Sequence, residues 1–297
     1  MKSPAMPSSP AHRRVEIDAL RDAGQVHRGD AIAVEEPLEI RLLRDGERDG
    51  RAISITMRTP GNDSELALGF LFGEGILREA ADVIDARPCG PTGNVLKITV
   101  RADLPLDVKR LERNFYTTSS CGICGKASID AVTASLGLRN VNSNLLVSEE
   151  ILRRLPDTLR ESQSGFEQTG GMHAVGLFDA DGDLIASYED VGRHNAMDKL
   201  VGASLLGGRL PWTDRVVLLS GRASFELLQK SMMAGAPVVA AIGAPSTLAV
   251  DLAHSAGITL IAFLRDQGCN VYSHPERVRP SAGRANSGRT SAGQREQ

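Results

Sequence analysis

Between residues 174 and 263, short apolar runs alternate with segments of helical spacing, and no other feature of the chain restricts its fold as much. Val216-Val217-Leu218-Leu219-Ser220, Val238-Val239-Ala240-Ala241-Ile242 and Thr259-Leu260-Ile261-Ala262-Phe263 read as buried strands. Helical spacing fills residues 195–206, 225–234 and 247–255. Ahead of them Ala174-Val175-Gly176-Leu177-Phe178 and Leu184-Ile185-Ala186-Ser187-Tyr188 flank Asp179-Ala180-Asp181-Gly182-Asp183, the pattern of a hairpin. Repeated strand–helix units predict an α/β domain with a largely parallel sheet under covering helices.

Ligands of such sheets sit beyond the carboxyl ends of the strands, and here the loops at those ends are polar. They read Ser220-Gly221-Arg222-Ala223-Ser224, Gly243-Ala244-Pro245-Ser246-Thr247 and Leu264-Arg265-Asp266-Gln267-Gly268. Backbone and hydroxyl donors before a helix suit an anion, and Arg222 and Arg265 suit phosphates. Capping and turn formation account for any one loop; three at successive strand ends point to a shared site.

A second polar stretch is Tyr188-Glu189-Asp190-Val191-Gly192-Arg193-His194-Asn195-Ala196-Met197-Asp198-Lys199. It holds the side chains of a binding or proton-transfer site, or of a solvated turn with a helix cap, and both readings stay open. His173, in Gly170-Gly171-Met172-His173, reads as structural.

The first third is strand-like. Leu38-Glu39-Ile40-Arg41-Leu42 and Ile53-Ser54-Ile55-Thr56-Met57 alternate at period two around the turn residues Asp45-Gly46-Glu47-Arg48-Asp49-Gly50, which predicts a hairpin. After Thr59-Pro60-Gly61-Asn62-Asp63 a helix is expected with Leu66, Ala67, Phe70 and Leu71 on one face, capped by Ser64 or Asp63 and ended by Gly73-Glu74-Gly75. Val83-Ile84 and residues 95–100 give further strands, 108–115 a short helix or extended lead, and Ser148 to Leu152 opens a helix with acidic residues in its first turn.

Residues 1–14, with three Pro and three Ser, and 279–297 hold too little apolar surface to offset ordering and are expected to be disordered tails. Between them the expected division is a smaller mixed α+β domain at 15–116, a mobile cysteine loop at 117–126 and a βα cofactor-binding domain at 127–278. The hydrophobic fraction of 41% over 297 residues suits about two globular domains. No apolar leader or membrane-length run is visible. A net charge of -3 gives no pull toward nucleic acid. Four cysteines are too few for a disulfide framework, so a reducing cytoplasm is expected.

Two of those cysteines lie in Thr117-Thr118-Ser119-Ser120-Cys121-Gly122-Ile123-Cys124-Gly125-Lys126. A following helix start and the Lys126 cation favour thiolate, the form that attacks sulfur and binds metal.

Five ordered stretches together resemble the formate dehydrogenase accessory sulfurtransferase family, FdhD. They are Thr59-Pro60-Gly61-Asn62-Asp63 with Glu65-Leu66-Ala67, Ser120-Cys121-Gly122-Ile123-Cys124-Gly125, Gly170-Gly171-Met172-His173-Ala174, Glu189-Asp190-Val191-Gly192-Arg193-His194-Asn195, and Ser220-Gly221-Arg222 with Ala244-Pro245-Ser246. The resemblance runs from about residue 30 to 277, and Gly243 stands where the family commonly has Ser.

The resemblance implies a cytidine deaminase-like βα sheet and a sulfur carrier. Sulfur would come from a cysteine desulfurase as a persulfide on Cys121, with Cys124 resolving it as a disulfide. It would pass to the molybdenum or tungsten of a bis-(molybdopterin guanine dinucleotide) cofactor, which formate dehydrogenase requires. Phe263, Leu264, Arg265, Asp266, Gln267 and Gly268 would help hold that cofactor, with Arg222, Ser246 and His194, and GDP would mimic it. In this reading Asp266 accepts from guanine, Arg265 meets a phosphate and Phe263 stacks. Two guanine ends suggest a C2 homodimer.

Three rivals need other features. A zinc deaminase joins His-x-Glu to Pro-Cys-x-x-Cys, but Ser120 precedes Cys121, and Cys89 and Cys269 are isolated, short of four ligands. A thioredoxin-like oxidoreductase carries its Cys-x-x-Cys after the first strand of a compact domain, whereas this pair is mid-chain. A cofactor-binding chaperone would do without the cysteines.

Overall fold

The computed structural model describes residues 10–22, 24–106 and 141–280. Cys121, Cys124 and the stretches 108–115 and 117–136 lie outside them, as do most residues of both expected tails.

The chain opens with an antiparallel ribbon, β1 (His12–Arg21) and β2 (Gly24–Ala33). β1 therefore begins inside the segment 1–14 set aside as a tail. A four-stranded sheet follows, in the order β4-β3-β6-β5. Its strands are β3 (Glu36–Arg44), β4 (Arg51–Arg58), β5 (Val83–Cys89) and β6 (Val95–Val100). β3–β4 and β5–β6 are antiparallel pairs, whereas β3 and β6 are parallel, because helix α1 (Asp63–Gly73) intervenes. The N-cap of α1 is Asn62, at φ 56° and without a side-chain bond. The expected capping residue Asp63 is engaged elsewhere. Its two carboxylate oxygens each accept from the buried Arg58 guanidinium at 2.9 Å.

The second sheet has six strands in the order β13-β12-β11-β10-β8-β9. They are β8 (His173–Phe178), β9 (Leu184–Asp190), β10 (Val216–Leu219), β11 (Val238–Ala241), β12 (Thr259–Arg265) and β13 (Gly268–Ser273). Only β10, β11 and β12 run parallel to one another. The expected largely parallel sheet is thus a mixed one. Tight turns at 179–183 and 266–267 force β8–β9 and β12–β13 antiparallel, and β8 meets β10 antiparallel as well. A short parallel pair, β7 (Val147–Ser148) with β14 (Val278–Arg279), ties the start of this half to its end.

Period-two alternation divides the second sheet between two cores. Val216, Leu218, Val238, Ala240 and Ile261 pack with Leu152, Leu155 and Leu159 of α2 (Glu149–Glu161), whose burial contributes roughly 2 kcal/mol per leucine. Ser148 caps this helix by accepting from Ile151 N at 3.1 Å. Short helix α3 (Ser164–Thr169) follows α2. Val217, Leu219, Val239, Ala241 and Leu260 face the other way, with α4 (Arg193–Leu206), α5 (Phe225–Met233) and α6 (Thr247–Ala256). The same core takes in Leu38, Ile40, Leu96 and Ile98 of the first sheet, so both sheets share one apolar interior.

Helices α1 and α4 cross inside it with their backbones touching. A Cβ at Gly69 would lie 1.9 Å from Asp198 O, and one at Gly202 1.8 Å from Glu65 O. Only glycine fits at this crossing.

Candidate functional site

The loops after β10 and β11 and the end of β12 lie side by side, because the parallel ladder continues past its strands. Gly243 N donates to Gly221 O at 2.8 Å, Ala223 N to Ala244 O at 3.1 Å, Ser246 N to Ala223 O at 2.9 Å, and Phe263 N to Gly243 O at 3.2 Å. Much of the backbone polarity at the strand ends is therefore spent between loops. Gly243 is required by this contact: a Cβ there would sit 2.8 Å from Gly221 C and O.

The site residues expected from sequence fall on two flanks of this ladder. On one flank Ala244, Pro245, Ser246, Thr247, Phe263 and Tyr272 line a shallow depression of about 330 Å³. Phe263 holds a left-handed backbone, φ 52°, at a bulge between β12 and β13, and its ring is 44% exposed. Strain of this kind persists only where surrounding structure enforces it. Ser246 caps α6 by accepting from Ala249 N at 3.3 Å, which leaves the hydroxyl proton to donate elsewhere.

The structure bears on the 263–268 segment residue by residue. Leu264 is fully buried in the α2 core, so its side chain is structural. Arg265 Nη1 turns back onto Ile242 O and Leu264 O, both at 2.7 Å, so that nitrogen of the exposed guanidinium is spent on the backbone. Asp266 and Gln267 form the exposed turn between β12 and β13, and Gly268 at φ 152° makes that turn possible. Tyr272 was missed in the sequence, where it has no motif around it.

The other flank holds His173, Arg193, His194, Arg222 and Ser224. His194 Nε2 lies 3.3 Å from Ser224 Oγ and 3.6 Å from Glu226 Oε2. Burial, with the cations Arg193 and Lys230 and with His173, outweighs Glu226 and lowers the His194 pKa to about 4. His173 is lowered too, by burial and then by Arg193 and Arg222, against Asp190. Both imidazoles are neutral at physiological pH.

Beneath them runs a buried ionic chain that no sequence motif announces. Lys230 Nζ lies 2.6 Å from Asp198 Oδ1 and 3.5 Å from Glu226 Oε1. Burial works against charge on both members of the first pair and lifts Asp198 to about 7. Lys230 nevertheless stays above its ordinary value, since Asp198, Glu226 and Glu74 outweigh its own burial; the ammonium is the fixed charge. Burial opposes ionisation of Glu226, yet Lys230, His194 and Arg193 together draw its pKa down.

Most of the stretch 189–199 is structural. Asp190, fully buried, accepts from Thr59 N at 3.1 Å, Gly192 N at 2.9 Å and Asn195 Nδ2 at 3.0 Å, and pairs with Lys199 Nζ at 2.7 Å. Asn195 also reaches Met57 O at 2.7 Å and accepts from Thr56 Oγ1 at 3.0 Å. Glu189 accepts from Gly165 N and Phe166 N at the start of α3, each at 2.8 Å. The stretch clamps the second sheet to the segment 56–59 of the first, and leaves only Arg193 and His194 facing the strand ends.

Among the described residues no three His, Cys, Asp or Glu side chains stand close enough to hold a metal ion. His274-Pro275-Glu276 has His-x-Glu spacing, but His274 Nδ1 bonds Glu276 at 3.1 Å and its Nε2 bonds His254 O at 3.1 Å. Cys89 and Cys269 are free and half-buried, and burial with Glu149 raises the Cys269 thiol. No described helix is long and apolar enough to cross a membrane.

Residues 33–279 match the model of the FdhD/NarQ family. The chain belongs to the FdhD/NarQ family. It is 48% identical over 274 residues to the sulfur carrier protein FdhD of Streptomyces coelicolor, covering 89% of this chain and 95% of that one. With the protein of the same name from Mycobacterium tuberculosis it shares 46% over 279 residues, 90% and 98% of the two chains. The protein of the same name from Sulfurisphaera tokodaii shares 42% over 266 residues, 90% and 98%. A solved structure from Desulfotalea psychrophila, described as a formate dehydrogenase accessory protein, superposes with a TM-score of 0.69 at 24% identity. It covers 91% of this chain and 100% of that one, and its likeness concerns the fold.

Proposed function

We propose that this FdhD/NarQ family member is a sulfur carrier for formate dehydrogenase. It takes sulfur from a cysteine desulfurase as a persulfide on Cys121 and passes it to the metal, molybdenum or tungsten, of a bis-(molybdopterin guanine dinucleotide) cofactor. The observation that carries this reading is the family match over residues 33–279, which spans both Cys121 and Cys124, from relatives named as sulfur carriers.

The chemistry balances within the two cysteines. The Cys121 thiolate attacks the terminal sulfur of the desulfurase persulfide, whose S–S bond breaks and whose cysteine leaves as thiolate. The Cys124 thiolate then attacks Cys121 sulfur. The terminal sulfur departs at the sulfide level to the acceptor metal, and the pair closes as a disulfide. A small-residue, Ser- and Gly-rich stretch suits a delivery arm that meets two partners. The acceptor's guanine end fits the depression at Ser246, Phe263 and Tyr272, where an exposed ring offers a stacking face; GDP is its simplest mimic. Two guanine ends on one acceptor favour a homodimer with two equivalent depressions. In this reading the βα layer is cytidine deaminase-like and the protein works in a reducing cytoplasm.

Replacing Cys121 by Ala tests the carrier role in cells that lack their own copy of this protein. The expected outcome is loss of formate dehydrogenase activity with the cofactor still bound to the protein. Full maturation by the Cys121→Ala chain contradicts the carrier role and leaves a cofactor-binding chaperone.

A further inference from the structure

We propose that Glu226, anchored by Lys230, is a positioning residue that fixes the proton of His194 on Nε2, so that the ring offers its Nδ1 lone pair as a hydrogen-bond acceptor to the bound ligand. The arrangement comes from two helices. His194 and Asp198 stand one turn apart on α4, and Glu226 and Lys230 one turn apart on α5. The four alternate across the contact between these helices. His194 Nε2 lies 3.6 Å from Glu226 Oε2, Glu226 Oε1 3.5 Å from Lys230 Nζ, and Lys230 Nζ 2.6 Å from Asp198 Oδ1. Lys230 is held from α1 as well. Its ammonium is 5.6 Å from the centroid of the Phe70 ring, and its stem packs so closely that a Cβ at Gly73 would come within 3.2 Å of Lys230 Cγ.

Each carboxylate oxygen of Glu226 thus has its own neighbour, Lys230 for one and His194 for the other. Burial opposes ionisation of Glu226, but the Lys230 ammonium, with His194 and Arg193, keeps it ionised. An ionised Oε2 at 3.6 Å is too far for a good hydrogen bond, yet its charge favours a proton on the nitrogen facing it and opposes a lone pair there. Ser224 Oγ, 3.3 Å from the same nitrogen, can accept from an N–H or donate to a lone pair. It fits either tautomer, so Glu226 decides. With Nε2 carrying the one proton of a ring that burial keeps neutral, Nδ1 is left as the acceptor. Among the described residues Nδ1 has no partner, and it is not shut off from solvent, so it is open to a ligand N–H or O–H.

This inference rests on the cofactor-binding reading for the identity of the ligand, of which GDP is the mimic. Nitrogen NMR of the full chain with isotope-labelled histidine tests it, His194→Gln identifying the resonances and couplings to the ring protons showing which nitrogen is protonated. The parent should carry the proton on Nε2. Glu226→Gln keeps the shape and removes the charge; Lys230 then holds the amide oxygen, which turns the amide NH2 toward His194 Nε2. The proton should move to Nδ1, changing the tautomer ratio by about fivefold or more, and Glu226→Asp should restore Nε2–H. The Glu226 side chain is 47% exposed and Asp198 still balances Lys230, so the fold tolerates the change. GDP affinity should fall by about fivefold in Glu226→Gln, because a ligand donor loses its acceptor. An Nδ1–H ring in the parent, or the same tautomer in both chains, overturns the proposal. Tighter GDP binding by Glu226→Gln overturns it too, since the ligand would then bring an oxygen to the ring. Tautomer reversal in a chain whose parent binds no GDP upholds the role of Glu226 and contradicts the cofactor reading.

Discussion

His194 shows how one side chain is set by its neighbours. Its ring is wedged between Ser224 and Glu226, faces Arg193, Lys230 and His173, and has its pKa lowered to about 4. In the unfolded chain the imidazole titrates near the ordinary value of about 6.5. Between those two values the unfolded state binds a proton that the folded state does not. Stability therefore falls as pH falls through that window. After allowance for partial exposure, the loss from pH 6.5 to 5 is about 1 kcal/mol. Urea unfolding at the two pH values checks this, and His194→Gln should lose that part of the pH dependence while retaining the part due to His173. An equal pH dependence in His194→Gln would show that the ring is not held neutral. By contrast, Asp190 and Lys199 form a fully bonded buried pair whose charge is spent on holding two segments together.

At the scale of elements, the crossing of α1 and α4 governs where Arg193 and His194 stand, since both lie on the first turn of α4. The two helices meet backbone to backbone at Gly69 and Gly202. Gly202→Ala would place its Cβ against Glu65 O and push the helices apart. Its cost should be about 3 kcal/mol or more by thermal or urea unfolding, well beyond what helix propensity would return. An unchanged midpoint would mean that the helices do not touch there. Neither glycine was legible in the sequence, because close approach leaves no periodic mark. The strands and helices of 174–263 were legible, because alternation and helical spacing are local properties. Local reasoning failed where tertiary contacts compete: Asp63 was expected to cap α1 but pairs with Arg58, and the second sheet was expected to be largely parallel although hairpins close both of its ends.

On the scale of the whole molecule, stretches far apart in sequence divide between holding and binding. Thr59 and Asp190 are bonded across the two sheets, so two conspicuous stretches prove to be one structural clamp. The strand-end loops meet as their position after β10, β11 and β12 predicted, yet they split into an aromatic depression and a cationic pair of loops, a division that depends on where the ladder runs. Lys230 and its carboxylates could not be read from sequence, since their spacing is that of any helix surface until α4 is packed against α5. Residues 117–126 lie outside the described residues, and the central claim rests on the chemistry proposed for them. Mass spectrometry after incubation with a cysteine desulfurase and cysteine tests it most directly. The chain should gain one sulfur on Cys121, retain the gain in Cys124→Ala and lose it in Cys121→Ala; a gain confined to Cys124, or none at all, would contradict the assignment.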